Sequence, residues 1–197
     1  MRLALFGYGG HAREVAAQIG KDVSDLVFFV DDIYAKDGVK PISEFNPKEY
    51  LMMVAVADSK DRSEIVSKLP EGTKYFTFIH PTAQIMSDDV IIGEGSFIGA
   101  NSILTTNIQI GKHAILNRGN HIGHDCVIGN YFSAMPGAIV SGNVHIGNRV
   151  YLGTNSSVIE KKEILHDIKI GANGVVVKNI VSSGTYVGCP VKMTIQI

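Results

Sequence analysis

A chain of 197 residues with a net charge of −1 and 19% charged residues offers no overall field for a nucleic acid or a polybasic membrane contact, so an anionic ligand has to be met by local groups. Its two cysteines, Cys126 and Cys189, exclude a disulfide scaffold and stand at no metal-motif spacing. No tract has the pattern of a signal peptide or a membrane span, and the expected location is the cytoplasm.

Residues 2–6 read as a short apolar strand, 7–11 as a tight glycine turn and 12–19 as the opening of a helix. A second strand over 26–30 ends in Asp31 and Asp32. A third over 51–57 leads into Asp58, a helix over 60–68 and a short strand over 75–78. This alternation predicts a small parallel sheet with helices packed on it, half of a dinucleotide fold at most. Proline punctuation at His80-Pro81 places the boundary there, giving a small Rossmann-like α/β domain over 1–78 and a second domain over 79–197.

Strand, glycine turn and helix start together outline a phosphate site, where glycines admit the anion to backbone N–H groups and the helix dipole favours negative charge. Gly7, Gly9, Gly10 and His11 form that turn, but the third glycine of the dinucleotide fingerprint is missing, with Ala12 nearest. A purely structural turn is the competing reading. Asp31 and Asp32 stand where such folds place an acid for a ribose or a base, and a solvated strand end is the alternative.

From Ile92 to Val176 an apolar residue recurs at every sixth position: Ile92, Ile98, Leu104, Ile110, Leu116, Ile122, Ile128, Ala134, Val140, Ile146, Leu152, Val158, Ile164, Ile170 and Val176. Six is neither a helical nor a simple strand period. It marks a hexapeptide-repeat parallel β-helix, in which three hexads close one coil and residues eighteen apart stack. Each of these side chains, fully buried, contributes roughly 1.5–3 kcal/mol. The register slips by one residue around Asp88-Asp89.

Among the coil histidines, His113, His121, His145 and His166 read as surface residues. His124 differs because Asp125 follows it. An acid beside an imidazole fixes its tautomer and raises its basicity, and neighbours on a flat strand face opposite ways, so this pairing requires a turn at the site.

Gly7 to His11, Asp31-Asp32, Arg62, His124-Asp125, Pro136-Gly137, Ser141-Gly142-Asn143 and 188–192 (Gly-Cys-Pro-Val-Lys) in combination resemble the PglD-like and NeuD-like hexapeptide-repeat acyltransferases of bacterial surface-sugar synthesis. The resemblance covers the whole chain. It implies a left-handed β-helix that assembles as a homotrimer, with acetyl-CoA in the groove between neighbouring β-helices and a nucleotide-linked amino sugar on the N-terminal domain. The reaction it implies is acetyl-CoA-dependent N-acetylation, of a 4-amino-4,6-dideoxyhexose by resemblance alone, without a metal, in lipopolysaccharide or glycan synthesis. His124 is then the general base, Asp125 its orienting partner and the Gly142 N–H the oxyanion donor. Gly7, Gly9, Gly10, His11, Asp31, Asp32, Arg62 and Asn117 are expected at the substrate, and Ser133, Gly142, Lys178, Gly188 and Lys192 at the cofactor.

Two positions depart from the family pattern. Ser133 stands where relatives often carry a second histidine, and it cannot shuttle a proton near neutral pH. Asp58 stands in the third turn, where it would repel a phosphate unless Arg62 screens it. A surplus of Arg149, Lys161, Lys162, Lys169, Lys178 and Lys192 in the last coils suits CoA phosphates or a solvated face equally. Rival readings are a sialic acid O-acetyltransferase, a non-catalytic β-helix scaffold and a γ-class carbonic-anhydrase-like metalloenzyme. The last needs three converging histidines, and no coil histidines are stacked at an eighteen-residue spacing.

Overall fold

The computed structural model describes residues 1–20 and 26–194. The N-terminal region consists of β1 (Arg2–Phe6), α1 (Gly10–Ile19), β2 (Val27–Val30), β3 (Lys40–Pro41), β4 (Tyr50–Val54), α2 (Ser59–Lys68) and β5 (Lys74–Tyr75). The strands form one parallel sheet in the order β3-β2-β1-β4-β5. β1 is central and covered on both sides, which is why it reads as a continuous apolar run. Leu5 packs with Ala12, Val15 and Met53 on one face, and Ala4 and Phe6 with Phe29, Met52 and Val54 on the other. β3 was not expected from the sequence. It is only two residues long and lies at the sheet edge, where Pro41 removes no hydrogen bond that the sheet needs.

The strand expected over 75–78 is divided. Lys74–Tyr75 closes the first sheet, whereas Phe78–Ile79 pairs with Phe97–Ile98 and opens the second region. From there the chain winds into a left-handed-type parallel β-solenoid with three sheets. Ile92, Ile110, Ile128, Ile146 and Ile164 stack in register, as do Ile98, Leu116, Ala134, Leu152 and Ile170. Leu104, Ile122, Val140, Val158 and Val176 form the third ladder. Apart from the partly buried Ile92 these side chains make up one continuous core. The extra residue near Asp88-Asp89 lengthens the step from Gln84–Ile85 to Ile91–Ile92, after which the register holds.

Each corner of the coil turns on one residue of positive φ, and these recur every sixth position. Asn101 (φ 59), Asn107 (φ 52), His113 (φ 56), Asp125 (φ 58), Tyr131 (φ 59) and Asn143 (φ 59) are examples, with Gly95, Gly119 and Gly137 in the same series. Asn, Asp and Gly are the residues that enter this left-handed region most readily. The last coil is closed by Gly184–Val187, parallel to Ile168–Ile170, and by Lys192–Met193, which returns antiparallel.

The N-terminal region lies across one of the three solenoid sheets. Phe97 and Ile115 of that sheet, with Met135 just after its strand Ser133–Ala134, enter the same cluster as Leu5, Ala12, Val15 and Met53. Leu116→Ala, at a fully buried rung, should lower the unfolding free energy by about 2–5 kcal/mol through lost burial and a residual cavity. A urea midpoint equal to that of wild type would contradict this account of the core.

Candidate active site

His124 and Asp125 occupy the coil edge between His121–Ile122 and Val127–Ile128, which belong to the two sheets that the N-terminal region leaves uncovered. Because Asp125 has φ 58, its side chain folds back beside its neighbour instead of pointing away from it. Asp125 Oδ2 lies 2.7 Å from His124 Nδ1, and its Oδ1 accepts a 2.6 Å bond from Asn107 Nδ2. Asn107 and then His124 hold the Asp125 carboxyl below the usual carboxylate range. One coil further on, Gly142 lies against the imidazole, and a Cβ built there would fall on His124 Nε2. Glycine at 142 is therefore a packing requirement of the histidine. Among the described residues the Gly142 N–H has no acceptor within the chain. The exposed imidazole of His124 thus borders a buried backbone N–H that has no acceptor among the described residues, and a base beside an N–H donor is the pairing that proton transfer next to a developing oxyanion needs. Asn107 was not foreseen. Its signal was the eighteen-residue spacing to Asp125.

The glycine turn and the Asp31 loop meet at the carboxyl ends of β1 and β2. They border a pocket of about 430 Å³ lined by Gly7, Gly9, Asp31, Tyr34 and Lys36, with Tyr8 on its wall. Gly9 is the N-cap of α1 and offers no side-chain cap, so the first N–H groups of this helix remain open to an anion. Lys36 places its ammonium 4.7 Å from the Tyr8 ring. Tyr8, Tyr34 and Lys36 are additions to the residues expected here. Asp32, although exposed, accepts the Ser43 N–H at 3.0 Å. Gly10 is the first residue of α1. The His11 Nε2 is enclosed without a hydrogen-bond partner among the described residues. Burial, and then the charge of Arg62, lower its pKa.

At the far end of the solenoid, Lys178 and Lys192 line a pocket of about 410 Å³ with Tyr186, Pro190 and Val191. Gly188 supplies a φ of 101 to the connecting loop. Arg149 and Lys169 are engaged elsewhere, in ion pairs with Asp167 and Asp58 at 2.7 and 2.9 Å.

Four expectations need correction. Arg62 does not face a ligand. It is fully buried, and its guanidinium donates to the carbonyls of Val56, Ala57, His113, Tyr131 and Phe132 and to Ser133 Oγ. Burial lowers its pKa to about 9, so it remains a cation at neutral pH and is matched by carbonyl dipoles rather than by a phosphate. Ser133 is likewise enclosed, donating to Ala57 O at 2.7 Å and lying 3.0 Å from Ser59 Oγ. Asn117 is buried at a coil corner, where its Oδ1 accepts the Arg118 N–H at 2.8 Å. His113 is also buried, stacked 5.3 Å from Tyr131 and edge-on to Tyr75 at 4.5 Å. All four carry polar atoms that a sequence places in solvent, and all four were drawn inside by packing between segments far apart in the chain. Asp58, finally, caps α2 by accepting the Lys60 and Asp61 N–H groups. Its charge is met in direct contact by Lys169, and through space it also favours the charged form of Arg62.

Among the described residues, no group of three or more His, Cys, Asp or Glu side chains is arranged to hold a metal ion, and no helix is long and apolar enough to cross a membrane. The family model described as the PglD N-terminal domain matches residues 2–69. The chain is similar to a histidine-to-asparagine variant of perosamine N-acetyltransferase from Caulobacter crescentus, solved in complex with CoA and GDP-perosamine. That match has 27% identity over 100% of this chain and 98% of that one, with a TM-score of 0.88. It is similar to the acetyltransferase domain of PglB from Neisseria gonorrhoeae (26% identity, 98% and 99% covered, TM-score 0.85), a domain also solved with acetyl coenzyme A. WeeI from Acinetobacter baumannii matches with 28% identity, 98% and 100% coverage and a TM-score of 0.87.

Burial of His113, with the charge of Arg62 second, pulls its pKa from 6.5 to about 4. An unfolded chain protonates this imidazole below pH 6.5 while the folded one keeps it neutral, so stability falls as the pH drops from about 6.5 to 4, by about 3 kcal/mol. His11 acts in the same direction. His113→Phe, which keeps the ring stack, should flatten most of that slope in urea titrations at pH 7, 5.5 and 4. An unchanged slope would assign the acid sensitivity elsewhere.

Proposed function

Given that the chain is a hexapeptide-repeat acyltransferase of the PglD-like family, we propose that it transfers the acetyl group of acetyl-CoA to the amine of a nucleotide-linked amino sugar. The observation that carries this reading is the His124 edge, where an aspartate-bound imidazole lies against Gly142, whose N–H has no acceptor among the described residues. The hydrogen bond to Asp125 places a proton on Nδ1 and leaves Nε2 with a lone pair. Nε2 takes a proton from the sugar ammonium or from the attacking amine, the nitrogen adds to the thioester carbonyl, and the Gly142 N–H receives the charge on the carbonyl oxygen. Collapse of the tetrahedral species expels the CoA thiolate, which takes up the proton. No acyl-enzyme is required, and the buried Cys126 does not take part.

The nucleotide is proposed to lie in the pocket of Gly7, Gly9 and Asp31, its diphosphate at the start of α1 and its base or ribose against Asp31. GDP-perosamine in a relative of similar fold supports a nucleotide-linked amino sugar. A 4-amino-4,6-dideoxyhexose is the sugar proposed. Lys178, Lys192 and Gly188 are proposed to receive the cofactor's phosphate-bearing end.

Within one chain the two ends of this reaction are apart. The nucleotide pocket belongs to the region lying over one solenoid sheet, and His124 stands on the edge between the other two. A homotrimer resolves this by bringing the His124 edge of one copy to the N-terminal region of the next. Exposed Ile91, Val127 and Ile139, on the two sheet faces flanking that edge, suit such contacts.

In a thiol-release assay with acetyl-CoA and UDP-, dTDP- and GDP-linked amino sugars, wild type should turn over one of them and His124→Ala should lose at least about a hundredfold in kcat. Activity on free sialic acid alone would replace N-acetylation with O-acetylation, and equal activity of the variant would remove His124 from the chemistry. Co-expression of His124→Ala with Asp31→Ala chains should restore about one quarter of wild-type sites if each site takes its base and its nucleotide pocket from different copies. No restoration would place both in one chain.

A further inference from the structure

Asn107 belongs to no element of the reaction described above, yet it makes the shortest contact to Asp125. The His124-Asp125 pair is open to water, with side-chain exposures of 61% and 46%. An exposed pair of this kind exchanges its partners for solvent readily and fixes little by itself. Here the carboxylate is held from the far side. Asn107 Nδ2 takes Oδ1 at 2.6 Å, which leaves Oδ2 for the imidazole Nδ1 at 2.7 Å. Asn107 is itself anchored. Its backbone N–H donates to Asp89 Oδ1 at 2.7 Å, and Thr106 Oγ1 donates to Asp89 Oδ2 at 3.0 Å. The Asp125 N–H in turn donates to Thr106 O at 3.2 Å. Three successive coils thus form one line along the edge, from Asp89 through Asn107 to Asp125 and His124.

We propose that Asn107 is a positioning residue of the acetyl transfer: by occupying one oxygen of Asp125 it aims the other at His124 and holds the imidazole in the tautomer that keeps Nε2 free. This rests on the reading of His124 as the base. The geometry requires Asn107 as a donor and not merely as a left-handed corner residue. Asn107 has φ 52, a conformation that Gly and Asp also adopt, so both can replace it without backbone strain. Asn107→Gly removes the amide. Asn107→Asp keeps the shape but sets a second carboxylate against Asp125.

The first test reads the imidazole directly. Histidine side-chain 15N resonances of the full-length protein, with His124 assigned by its absence in His124→Ala, should show the Nδ1–H tautomer in wild type and a shift toward Nε2–H in both Asn107 variants. This readout needs no turnover, so it stands even if the assay finds no amino-sugar substrate. The second test is kinetic. With the substrate identified, Asn107→Gly and Asn107→Asp should each lower kcat about tenfold and leave both KM values within about twofold, and the loss should vanish when Asp125 is already Ala. A wild-type His124 in the Nε2–H tautomer, or a tautomer unchanged by Asn107→Gly, overturns the proposal. So does an Asn107→Asp enzyme as active as wild type, which would leave Asn107 with a shape role only. A loss of the same size in the Asp125→Ala background would show that Asn107 acts without Asp125, and also overturns it.

Discussion

Coil-on-coil stacking at eighteen residues is the constraint from which the other features of the solenoid edge follow. Once Ile110 lies on Ile92 and Ile128 on Ile110, every corner residue has a fixed neighbour one coil away. Asn107 comes to lie beneath Asp125, and Gly142 over His124. Most of the solenoid strands are two residues long, so none of these contributes much stability alone, and the register is held by three internal ladders acting together. A one-residue shift of register between their coils would part Asn107 from Asp125. The register departs from eighteen only at the two ends of the described solenoid, near Asp88-Asp89 and where Ile164 and Ile168 meet Ile180 and Gly184.

The corners impose a second condition that coincides with chemistry at one place. A coil that turns after every two-residue strand needs a left-handed residue once per hexad, and most such positions hold Asn, Asp or Gly. At position 125 this requirement is met by an aspartate, and the same backbone twist returns its carboxylate to the preceding histidine. A flat strand forbids that contact between adjacent residues. The pair is therefore a product of the corner, and the edge of the solenoid, not its faces, carries the candidate chemistry.

A different device joins the two regions. Arg62 reaches from α2 into the solenoid and donates to carbonyls at 113, 131 and 132. Arginine suits this task because its planar group spreads five donors over several acceptors while keeping its charge. Ser59 and Ser133 continue the polar seam, with Phe97, Ile115 and Met135 providing the apolar part. This seam holds the pocket of Gly7, Gly9 and Asp31 over one sheet and away from the His124 edge of the same chain, which is the physical reason for proposing a site shared between copies.

The sequence by itself determined the repeat, its coil length, the central strand of the first sheet and the distinction of His124 from the other coil histidines. Each of these rests on local order: a period of six, an apolar run before glycines, an acid next to an imidazole. The edge strand at Lys40–Pro41 left no such mark, because two residues have no period. Tertiary structure alone decided the fates of Arg62, Ser133, Asn117 and His113, since a polar side chain shows its burial only when the segments that cover it have been brought together. It also decided the role open to Asn107, whose neighbour in space is eighteen residues away in the chain. Ligand-like residues were legible as types, but whether they faced a ligand or another part of the protein depended on which carbonyls and rings packing placed within reach.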